Sequence, residues 1–464
     1  METRLPADFI KSLEKLHHFN PEKFIALHET GEQVVSVRFN EVKCNPANDK
    51  WPDDMTDPPF NLFARVPWAS NAFYLPERPS FTLDPLFHAG VYYVQEASGM
   101  FLEQALKQTV DLTQNINVLD LCAAPGGKST ILQSLISRNS MIVSNEVIKT
   151  RVPVLYQNMT KWGRHNGIVT NNDPAHFNKL SGFFDVMLID APCSGSGLFR
   201  KDAQAANLWS IDLVNLCSQR QQRILADSWS CLKEDGILIY STCSYSREEN
   251  EDILDHLFKQ FNCISRRLTI QPEWNIIETI SEQSGAYGYR FYPDKLQGEG
   301  LFMAVIQKKD SAESRHTPKN HRTEKKTEKF KVGQVSKWIN ASSLAFAQVG
   351  ESIHVMPSEW TSQFEILKNT LYLKKAGIRL GKNTENVWIP DHELALGTIL
   401  NDEVESLELT KDDVLSYLRA QPFPAGNSEK GWRLVRYQNH GIGWVKLLEN
   451  RVNNYYPKSW RIRL

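Results

Sequence analysis

The sequence lacks the closely spaced cysteine pairs that mark disulfide-rich and zinc-binding proteins. Seven cysteines are spread over 464 residues, and no two of them stand in a CxxC arrangement. An odd number without such spacing fits a reducing compartment better than a disulfide framework, and it offers no ligand set for zinc. We therefore expect a cytoplasmic protein without a metal site.

Long apolar runs and an excess of charge are also missing. No stretch approaches the ~18 apolar residues that span a bilayer, and residues 1–19 carry charges where a signal peptide would be continuously apolar. We expect a soluble, unexported protein that does not bind membranes. Because 53 Lys and Arg balance 54 Asp and Glu, any affinity for nucleic acid must come from local patches.

What is present is an ordinary globular composition, with 41% hydrophobic and 23% charged residues. Its clearest break is segment 308–331, which holds nine Lys or Arg, four Asp or Glu, and only two apolar residues, Ala312 and Phe330. Such a segment cannot bury enough surface to offset its ordering entropy, which predicts a linker between two independently folded bodies. The alternative is a solvated charged loop within one domain. We expect four parts, residues 1–110, 111–307, 308–331 and 332–464.

Between residues 115 and 307, short β-rich runs alternate with helical patterns, which is typical of a parallel sheet with crossover helices. The predicted strands are 116–121, 141–147, 168–171, 183–189, 237–242 and 300–307, and the predicted helices are 129–137, 149–162, 212–232 and 248–261. The fold class is therefore α/β, with a Rossmann-like core. Before it we predict one helix (7–16) and one strand (33–39); after it, runs such as 433–437 and 443–447 indicate a small β-rich or α+β domain.

A glycine-containing turn follows the first predicted strand, where open α/β sheets bind ligands. A nucleotide-triphosphate loop would need glycine where Cys122 stands, and G-x-G-x-x-G does not occur. Glycines at a helix N-terminus suit the carboxylate of the amino-acid end of S-adenosylmethionine. Glu146 and Asp173 follow the next two strands, in positions to bind the ribose hydroxyls and the adenine amine. Taken singly, each carboxylate is more often a solvated loop residue, but their shared position at successive strand ends favours the functional interpretation.

Two cysteines follow two other strands. Cys193 stands in the segment Asp190-Ala-Pro-Cys193, and Cys243 in Ser241-Thr-Cys243. Both lie in small-residue turns at the same predicted ligand edge, whereas the remaining cysteines fit a packing role. Carbon 5 of a pyrimidine is a poor nucleophile, and addition of a thiolate to carbon 6 places electron density on carbon 5. Two thiols at this edge therefore favour covalent catalysis on a pyrimidine.

The motifs at residues 90–98, 120–129, 190–195 and 241–243 together resemble the RNA cytosine-5 methyltransferase family, the Nop2/Sun or Fmu-like group. The resemblance covers about residues 38–307. It implies that Cys243 adds to carbon 6 of the cytosine and that Cys193 helps to resolve the covalent intermediate and release the RNA. It also places Lys128 near the reacting centre and Asp190 against the cytosine ring. DNA cytosine-5 methyltransferases use the Pro-Cys thiol as nucleophile and lack the second cysteine, so the pair points to RNA.

The same resemblance implies binding residues. The expected S-adenosylmethionine contacts are Cys122, Ala123, Ala124, Pro125, Gly126, Gly127, Lys128, Glu146, Asp173 and Asp190. The expected RNA contacts are Arg38, Asn40, Lys43, Arg200 and Lys201. One departure is Gly99, where the family commonly has serine, and it puts no catalytic residue in doubt.

The C-terminal segment 430–464 carries eight Lys or Arg against one acidic residue, interleaved with six Trp and Tyr. Such a mixture suits RNA binding, because cations neutralise phosphates and aromatic rings stack on unpaired bases. The alternative is that the aromatics are the core of a small β-domain. The arrangement of the chain is similar to bacterial family members that methylate small-subunit ribosomal RNA and carry a C-terminal PUA-like domain.

These resemblances imply a function and a division of labour. Residues 1–110 would be an N-terminal RNA-binding extension, 111–307 the catalytic domain, and 332–464 a PUA-like RNA-binding domain. The expected reaction is S-adenosylmethionine-dependent methylation of carbon 5 of a cytosine in 16S ribosomal RNA, through a covalent Cys243 intermediate, by a monomer. The alternatives are transfer RNA as substrate, or an RNA-binding assembly factor whose methyl-transfer site is vestigial.

Overall fold

The computed structural model describes residues 5–16, 18–46, 51–52, 55–311, 335–340, 343–384, 387–401, 403–424 and 429–463. Within these ranges, no helix combines the length and apolarity needed to cross a bilayer.

The N-terminal part is a small sheet with flanking helices. Its elements are α1 (Ala7–Leu13), α2 (Pro21–Thr30), β1 (Val35–Phe39), β2 (Ala64–Arg65), β3 (Ala72–Leu75), α3 (Pro85–Ala89), β4 (Tyr92–Val94) and α4 (Leu102–Thr109). The strands are antiparallel in the order β2-β3-β1-β4. The sequence predicted α1 and β1. It did not predict the sheet to which β1 belongs, because the other strands of that sheet are only two to four residues long.

The central part supplies most of the large sheet. Its elements are β5 (Asn117–Asp120), α5 (Gly127–Leu135), β6 (Met141–Asn145), α6 (Val152–Trp162), β7 (Gly167–Thr170), β8 (Phe184–Asp190), α7 (Ala203–Leu208), α8 (Ile211–Ser228), β9 (Leu232–Thr242), α9 (Glu251–Gln260), β10 (Cys263–Ser265), β11 (Ile277–Ile280), β12 (Tyr287–Phe291) and β13 (Leu301–Lys308). Strands β7, β6, β5, β8 and β9 are parallel neighbours in that order. The predicted α/β class with a Rossmann-like core is confirmed.

The C-terminal part is rich in strands. Its elements are α10 (Val335–Trp338), β14 (Leu344–Val349), β15 (Ser352–Pro357), α11 (Thr361–Thr370), β16 (Leu373–Ala376), β17 (Ile378–Thr384), β18 (Val387–Pro390), α12 (His392–Leu396), β19 (Ser406–Glu408), α13 (Lys411–Arg419), β20 (Gly431–Tyr437), β21 (His440–Leu447) and β22 (Val452–Asn454). They form the sheets β14-β15-β17-β18 and β19-β20-β21-β22. Short 3₁₀ turns also occur along the chain, at Phe81–Leu83, Ser98–Phe101, Pro174–Leu180, Ser196–Leu198, Trp229–Cys231, Arg247–Glu249, Pro272–Trp274, Ser358–Trp360 and Lys458–Trp460.

Both faces of the large sheet are covered, as its sequence pattern predicts for parallel strands. Alternate residues along β5 and β8 enter different cores: Val118 and Val186 pack on one face, and Leu119 and Met187 on the other. All four side chains are at most 1% exposed. Because side chains alternate across a strand, a separate core packs on each face of the sheet. The two cores hold in place the strand ends that form the predicted ligand edge.

The helix predicted at 212–232 is shorter than expected. The helix ends at Ser228, and a 3₁₀ turn, Trp229–Cys231, follows it before β9 begins. Backbone amides of Gly182 and Phe183 donate to the carbonyls of Ser230 and Cys231 at 2.9 Å. These bonds draw the turn against the start of β8, which helical propensity alone does not reveal.

Most of the predicted linker, residues 312–331, lies outside the described residues. The expectation of two independently folded bodies on either side of it is wrong, because β16 pairs antiparallel with β7 and extends the central sheet. Trp360 and Phe364 of the C-terminal part also belong to the core on one face of that sheet. The two parts therefore share a sheet and a core.

Candidate active site

The carboxyl ends of β5, β6, β8 and β9 meet at one edge of the sheet, and the predicted site residues follow them. The glycine turn comes after β5 and leads directly into α5. Gly126 has a φ of +110°, a conformation that side chains with a Cβ rarely adopt. A Cβ added to Gly127 would lie 3.3 Å from the side-chain nitrogen of Gln95. The glycines therefore allow a sharp turn and a close approach of the backbone.

Helix α6 supports this turn from one side. Asn158 donates to the carbonyl of Pro125 at 2.9 Å, and the Arg151 guanidinium donates to the carbonyl of Ala124. Ala123 is buried and makes a 2.8 Å backbone hydrogen bond to Asn145 at the end of β6. The turn is thus fixed to its neighbours before any ligand binds.

Asp120 and Cys122 lie beneath the turn in a buried environment. One oxygen of Asp120 accepts a hydrogen bond from Ser129 at 2.6 Å, and the other has no hydrogen-bond partner among the described residues. Burial raises the pKa of Asp120 to about 7. Burial, followed by the charge of Asp120, also raises the pKa of the Cys122 thiol well above its usual range. The Cys122 thiol thus keeps its proton, and Asp120 has one oxygen free to accept a hydrogen bond.

The two carboxylates at the next strand ends differ in exposure. Glu146, after β6, is 2% exposed. One of its oxygens accepts from the amide of Ile148 at 2.8 Å, and the other lies 3.3 Å from the Arg151 guanidinium. Asp173 is exposed and caps the turn Pro174–Leu180 by accepting from the amide of Ala175 at 3.0 Å. Both stand at the predicted ligand edge, but only Glu146 is held in a fixed, buried position.

The structure brings the two predicted thiols together. The sulfurs of Cys193 and Cys243 are 3.1 Å apart. Backbone hydrogen bonds join the two loops, from Ala191 to Ser241 at 2.8 Å and from Gly197 to Cys243 at 2.7 Å. The hydrogen bond to Cys243, together with burial, raises the pKa of Cys193 well above its usual range. Cys193 therefore keeps its proton and can donate it toward the sulfur of Cys243.

An ion pair borders the thiols. The Lys128 ammonium lies 2.8 Å from a carboxylate oxygen of Asp190, and that oxygen also accepts from the Ser241 hydroxyl at 2.7 Å. Burial acts to lower the pKa of Lys128, but the charges of Asp190 and Cys243 outweigh it and raise that pKa. Lys128 is therefore a fixed cation beside the two thiols.

The residues expected to contact RNA occupy different environments. Arg38 is buried, donates to Gln95 at 3.0 Å and lies 4.4 Å from the ring centroid of Trp162. Asn40 is fully buried and donates to the carbonyl of Trp162 at 2.8 Å. Half-buried Lys43 donates to the carbonyls of Ala89 and Lys161 at 2.6 and 2.7 Å. All three side chains join the N-terminal sheet to the central part, a role that the sequence did not indicate.

The other two expected RNA contacts also differ. Arg200 is buried, with its guanidinium donating to the carbonyl of Glu32 and lying 3.6 Å from the carboxylate of Glu299. Lys201 is exposed. RNA contact by the buried residues Arg38, Asn40 and Arg200 stays a prediction that their burial opposes, whereas Lys201 is accessible to a ligand.

The basic and aromatic C-terminal segment divides between core and surface. Trp444 and Tyr456 are 1% and 3% exposed, whereas Tyr455 is 38% exposed. The ammonium of Lys446 lies 5.6 Å from the ring centroid of Trp432. The core interpretation therefore holds for Trp444 and Tyr456, and RNA binding by the exposed residues stays a prediction.

Sequence reasoning missed the contacts of two residues at this edge, Asp120 and Glu249. Asp120 stands within the glycine-turn motif, so its position was visible, but its unpartnered oxygen was not. Glu249 accepts hydrogen bonds from Ser194 and Ser244, the residues that follow the two cysteines. Nothing in the sequence separates this glutamate from its acidic neighbours, because its role depends on a contact 55 residues away along the chain.

A Rossmann-like sheet with a glycine turn, a buried strand-end carboxylate and two adjoining thiols defines a methyltransferase of the S-adenosylmethionine-dependent class. Family models match three stretches of the chain: 16S rRNA methyltransferase RsmB/F at residues 107–307, the N-terminal domain of 16S rRNA methyltransferase RsmF at 5–97, and the methyltransferase RsmF PUA domain at 404–462. The chain belongs to the RsmB/F family of 16S rRNA methyltransferases. S-adenosylmethionine is the methyl donor of this family and the cofactor of the enzyme.

Individual relatives agree with this assignment. The ribosomal RNA small subunit methyltransferase F of Vibrio cholerae is 30% identical over 419 residues, covering 85% of each chain. That of Psychromonas ingrahamii is 29% identical over 480 residues, covering 99% of this chain and 97% of its own. A methyltransferase homolog from Pyrococcus horikoshii is similar in structure, with a TM-score of 0.50, 27% identity, and coverage of 66% of this chain and 100% of its own. NSun6 from the same organism, solved with SFG, shares the fold at a TM-score of 0.54 and 17% identity, covering 67% of this chain and 100% of its own.

Proposed function

We propose that this enzyme methylates carbon 5 of a cytosine in 16S ribosomal RNA, through a covalent bond between Cys243 and carbon 6 of the base. The observation that carries the proposal is the 3.1 Å approach of Cys193 and Cys243 at the ligand edge of the sheet. A thiol with its proton retained beside a thiol that faces a fixed cation gives two sulfurs of different character in one site. Methyl transfer to an oxygen or nitrogen would require neither.

The cation and the carboxylate have separate tasks. The Lys128 ammonium stabilises the Cys243 thiolate, which adds to carbon 6 and moves electron density to carbon 5. Asp190 holds Lys128 at 2.8 Å and has a second oxygen with which to accept a hydrogen bond from the cytosine amino group. Because Asp190 ends the buried strand β8 and Cys243 follows the buried strand β9, the base must leave its stack to reach them.

The glycine turn and its surroundings fit S-adenosylmethionine. The unpartnered oxygen of Asp120 can accept from the ammonium of the amino-acid end, and the amides at the start of α5 can bind the carboxylate. Glu146 is placed to bind the ribose hydroxyls, and Asp173 the adenine amine. When bound, S-adenosylmethionine supplies an electrophilic methyl group. The whole turn, residues 122–128, would then contact it.

Cys193 acts after the methyl group has been transferred. Its thiol retains a proton 3.1 Å from the sulfur of Cys243, so it can protonate that sulfur as the bond to carbon 6 breaks. In the same elimination a water molecule takes the proton from carbon 5, and the electron pair of that C–H bond restores the aromatic ring as the bond from carbon 6 to sulfur breaks. The enzyme and the methylated RNA then separate.

The names of the relatives and the division into domains support the proposed substrate. Relatives named ribosomal RNA small subunit methyltransferase F match 85% or more of this chain, which supports 16S ribosomal RNA as substrate. Residues 1–110 and 332–464 are proposed to bind that RNA, with Lys201, Tyr455 and the Trp432–Lys446 pair as accessible contacts. We propose that the enzyme acts as a monomer in the cytoplasm.

Two cysteine substitutions test the covalent mechanism. Cys243→Ala should abolish methylation, because no nucleophile remains for carbon 6. Cys193→Ala should accumulate protein–RNA adducts on a denaturing gel, because the intermediate forms but is not resolved. Adducts in Cys243→Ala and none in Cys193→Ala would contradict these roles.

The substrate is tested separately, with labelled S-adenosylmethionine, purified small ribosomal subunits, 16S ribosomal RNA and transfer RNA. We expect label in 5-methylcytosine of 16S ribosomal RNA. Label found in transfer RNA alone would show that transfer RNA, and not 16S ribosomal RNA, is the substrate. Binding of RNA without any incorporation would instead indicate an assembly factor with a vestigial site.

A further inference from the structure

The two thiols lie on two loops. Two backbone hydrogen bonds join these loops, and neither involves the residue that directly follows a cysteine. In one bond the donor is the amide of Ala191, two residues before Cys193. In the other, the amide of Gly197 donates to the carbonyl of Cys243. The residues immediately after the cysteines, Ser194 and Ser244, are joined by side chains instead.

One buried carboxylate receives both serines. Glu249 is 0% exposed. Its first oxygen accepts from the backbone amide of Ser194 at 2.8 Å and from the side-chain amide of Gln221 at 3.2 Å. Its second oxygen accepts from the hydroxyls of both Ser194 and Ser244, which are themselves 3.2 Å apart. We call Glu249, Ser194, Ser244 and Gln221 the thiol clamp.

The clamp is also fixed from behind. Gln221, on α8, donates to the carbonyl of Pro192 at 3.1 Å as well as to Glu249. The carbonyl of Glu249 accepts from the Tyr240 hydroxyl at 2.7 Å, which ties the clamp to β9. The chain leaves helical geometry at this point, since Asn250 has φ −123° and ψ −97°. Glu249 is therefore held at the end of a 3₁₀ turn, facing the loops rather than solvent.

We propose that Glu249 is a positioning residue that sets the separation of the two catalytic sulfurs by binding the residue after each cysteine. This inference rests on the proposed function only for its catalytic consequence, because the separation itself exists in the protein without substrate. A carboxylate suits the task because it accepts four hydrogen bonds at once and donates none. A glutamine at this position would place its NH₂ group against the two serine hydroxyls. Its oxygen would remain as acceptor for the Ser194 backbone amide and the Gln221 side chain.

Three variants and a matched control isolate the clamp. Glu249→Gln changes the central acceptor, and Ser194→Ala and Ser244→Ala each remove one hydroxyl without changing charge. The control is Ser218→Ala, which removes a partly buried hydroxyl of α8 that donates to the carbonyl of Glu248 at 2.8 Å. This hydroxyl donates to a residue next to the clamp and not to either cysteine loop.

The first measurement needs no substrate. In glutathione buffers, the Cys193 and Cys243 thiols give two protons and two electrons to glutathione disulfide, which leaves one protein disulfide and two glutathione molecules. The equilibrium, followed by mass spectrometry of the linked peptides, gives the effective concentration of one thiol at the other. We expect it to fall about tenfold in the three clamp variants and to stay unchanged in Ser218→Ala. Equal values in all four variants and the unaltered protein would overturn the proposal, and the serine variants decide the matter even if Glu249→Gln does not fold.

The second measurement is methylation. We expect kcat to fall roughly a hundredfold in Glu249→Gln, with the KM for S-adenosylmethionine unchanged, because a displacement near 1 Å disrupts reacting groups while the cofactor turn is untouched. A rise in KM equal to the fall in kcat would also overturn the proposal. If the glutathione equilibrium shifts as expected but the unaltered protein methylates no RNA, the clamp stands and the proposed function fails.

Discussion

A buried ion pair within the C-terminal part, which also accepts a hydrogen bond from α6, allows a sharp test of what holds the molecule together. The side chains of Lys375 and Glu393 are 2% and 3% exposed and form an ion pair. The other oxygen of Glu393 accepts from the hydroxyl of Tyr156 on α6. The backbone amide of Arg379 donates to Glu393 at 3.1 Å. The perturbation is Lys375→Met, which removes the ammonium and keeps most of the aliphatic length.

The expected cost follows from what remains around Glu393. Removing one partner of a buried pair costs about 3 to 5 kcal/mol, because the other charge is left without compensation. Glu393 keeps Tyr156 and Arg379 as donors, so we expect the lower end, about 3 kcal/mol. Burial acts to raise the pKa of Glu393, but Lys375 outweighs it and holds that pKa below its usual value. Without Lys375 the pKa should rise above the value in the unfolded chain.

The sign of the pH dependence follows from that change. In the unaltered protein, the lowered pKa of Glu393 contributes stability above the unfolded pKa, and this contribution is lost as the pH falls through the folded one. In Lys375→Met the raised pKa acts in the opposite sense, and stability is lost as the pH rises through it. The difference between the two proteins should therefore grow from pH 4.5 to pH 7, because the penalty in Lys375→Met develops above the unfolded pKa, whereas the contribution of Glu393 in the unaltered protein is lost only as the pH falls toward about 2.

Urea unfolding at pH 4.5 and pH 7 measures this difference. The control is Lys430→Met, because Lys430 pairs with Glu449 at 2.9 Å but the side chains are 64% and 76% exposed. It should cost less than about 1 kcal/mol. Adding Glu393→Gln to Lys375→Met should restore part of the stability by removing the uncompensated charge. A loss in Lys375→Met no greater than in Lys430→Met, or one independent of pH, would refute the reasoning.

Two further expectations concern the cofactor site and the contact between parts. Glu146→Gln should weaken binding of S-adenosylmethionine, measured by calorimetry, by about ten- to a hundredfold, since a hydrogen bond to a charged group contributes roughly 1.5 to 3 kcal/mol; Asp173→Asn, at an exposed position, should have a smaller effect, and the reverse order would contradict the site. Gly163→Ala should lower the thermal midpoint more than Gly31→Ala. Both glycines have positive φ, but a Cβ on Gly163 would lie 2.2 Å from the carbonyl oxygen of Leu396, whereas nothing lies within 4 Å of one on Gly31. Equal shifts of the thermal midpoint would show that the cost comes from backbone strain at positive φ and not from the contact with Leu396.

The central part of the fold could be predicted because its strands are continuous apolar runs separated by helical periods. The edge of the sheet could not. Strands β11 and β12 contain charged and small residues, and their pairing with β13 is antiparallel, so neither apolar runs nor βα alternation marks them. β16 reads Leu-Lys-Lys-Ala and depends on β7 for its conformation. Short strands of this kind are decided by tertiary contacts rather than by local sequence.

The candidate site shows the same division. The proximity of Cys193 and Cys243 was predictable, because parallel strands bring their carboxyl ends to one edge. Motif resemblance did not distinguish ligand contacts from structural ones, and Arg38 and Asn40 proved to be buried against the protein's own backbone and side chains. Glu249 was invisible for a related reason: a buried carboxylate acquires its role from donors elsewhere in the chain.

The pairing of β16 with β7 has a consequence for how the protein is made. Asn172, just after β7, and Tyr372, just before β16, are 200 residues apart in sequence yet hydrogen-bonded. On the ribosome, the outer edge of the catalytic sheet therefore emerges long before the strand that covers it, and an uncovered edge invites pairing with other chains. A protein truncated after the catalytic region would keep that edge open permanently, so the C-terminal part covers, in the finished enzyme, an edge that stays open during synthesis.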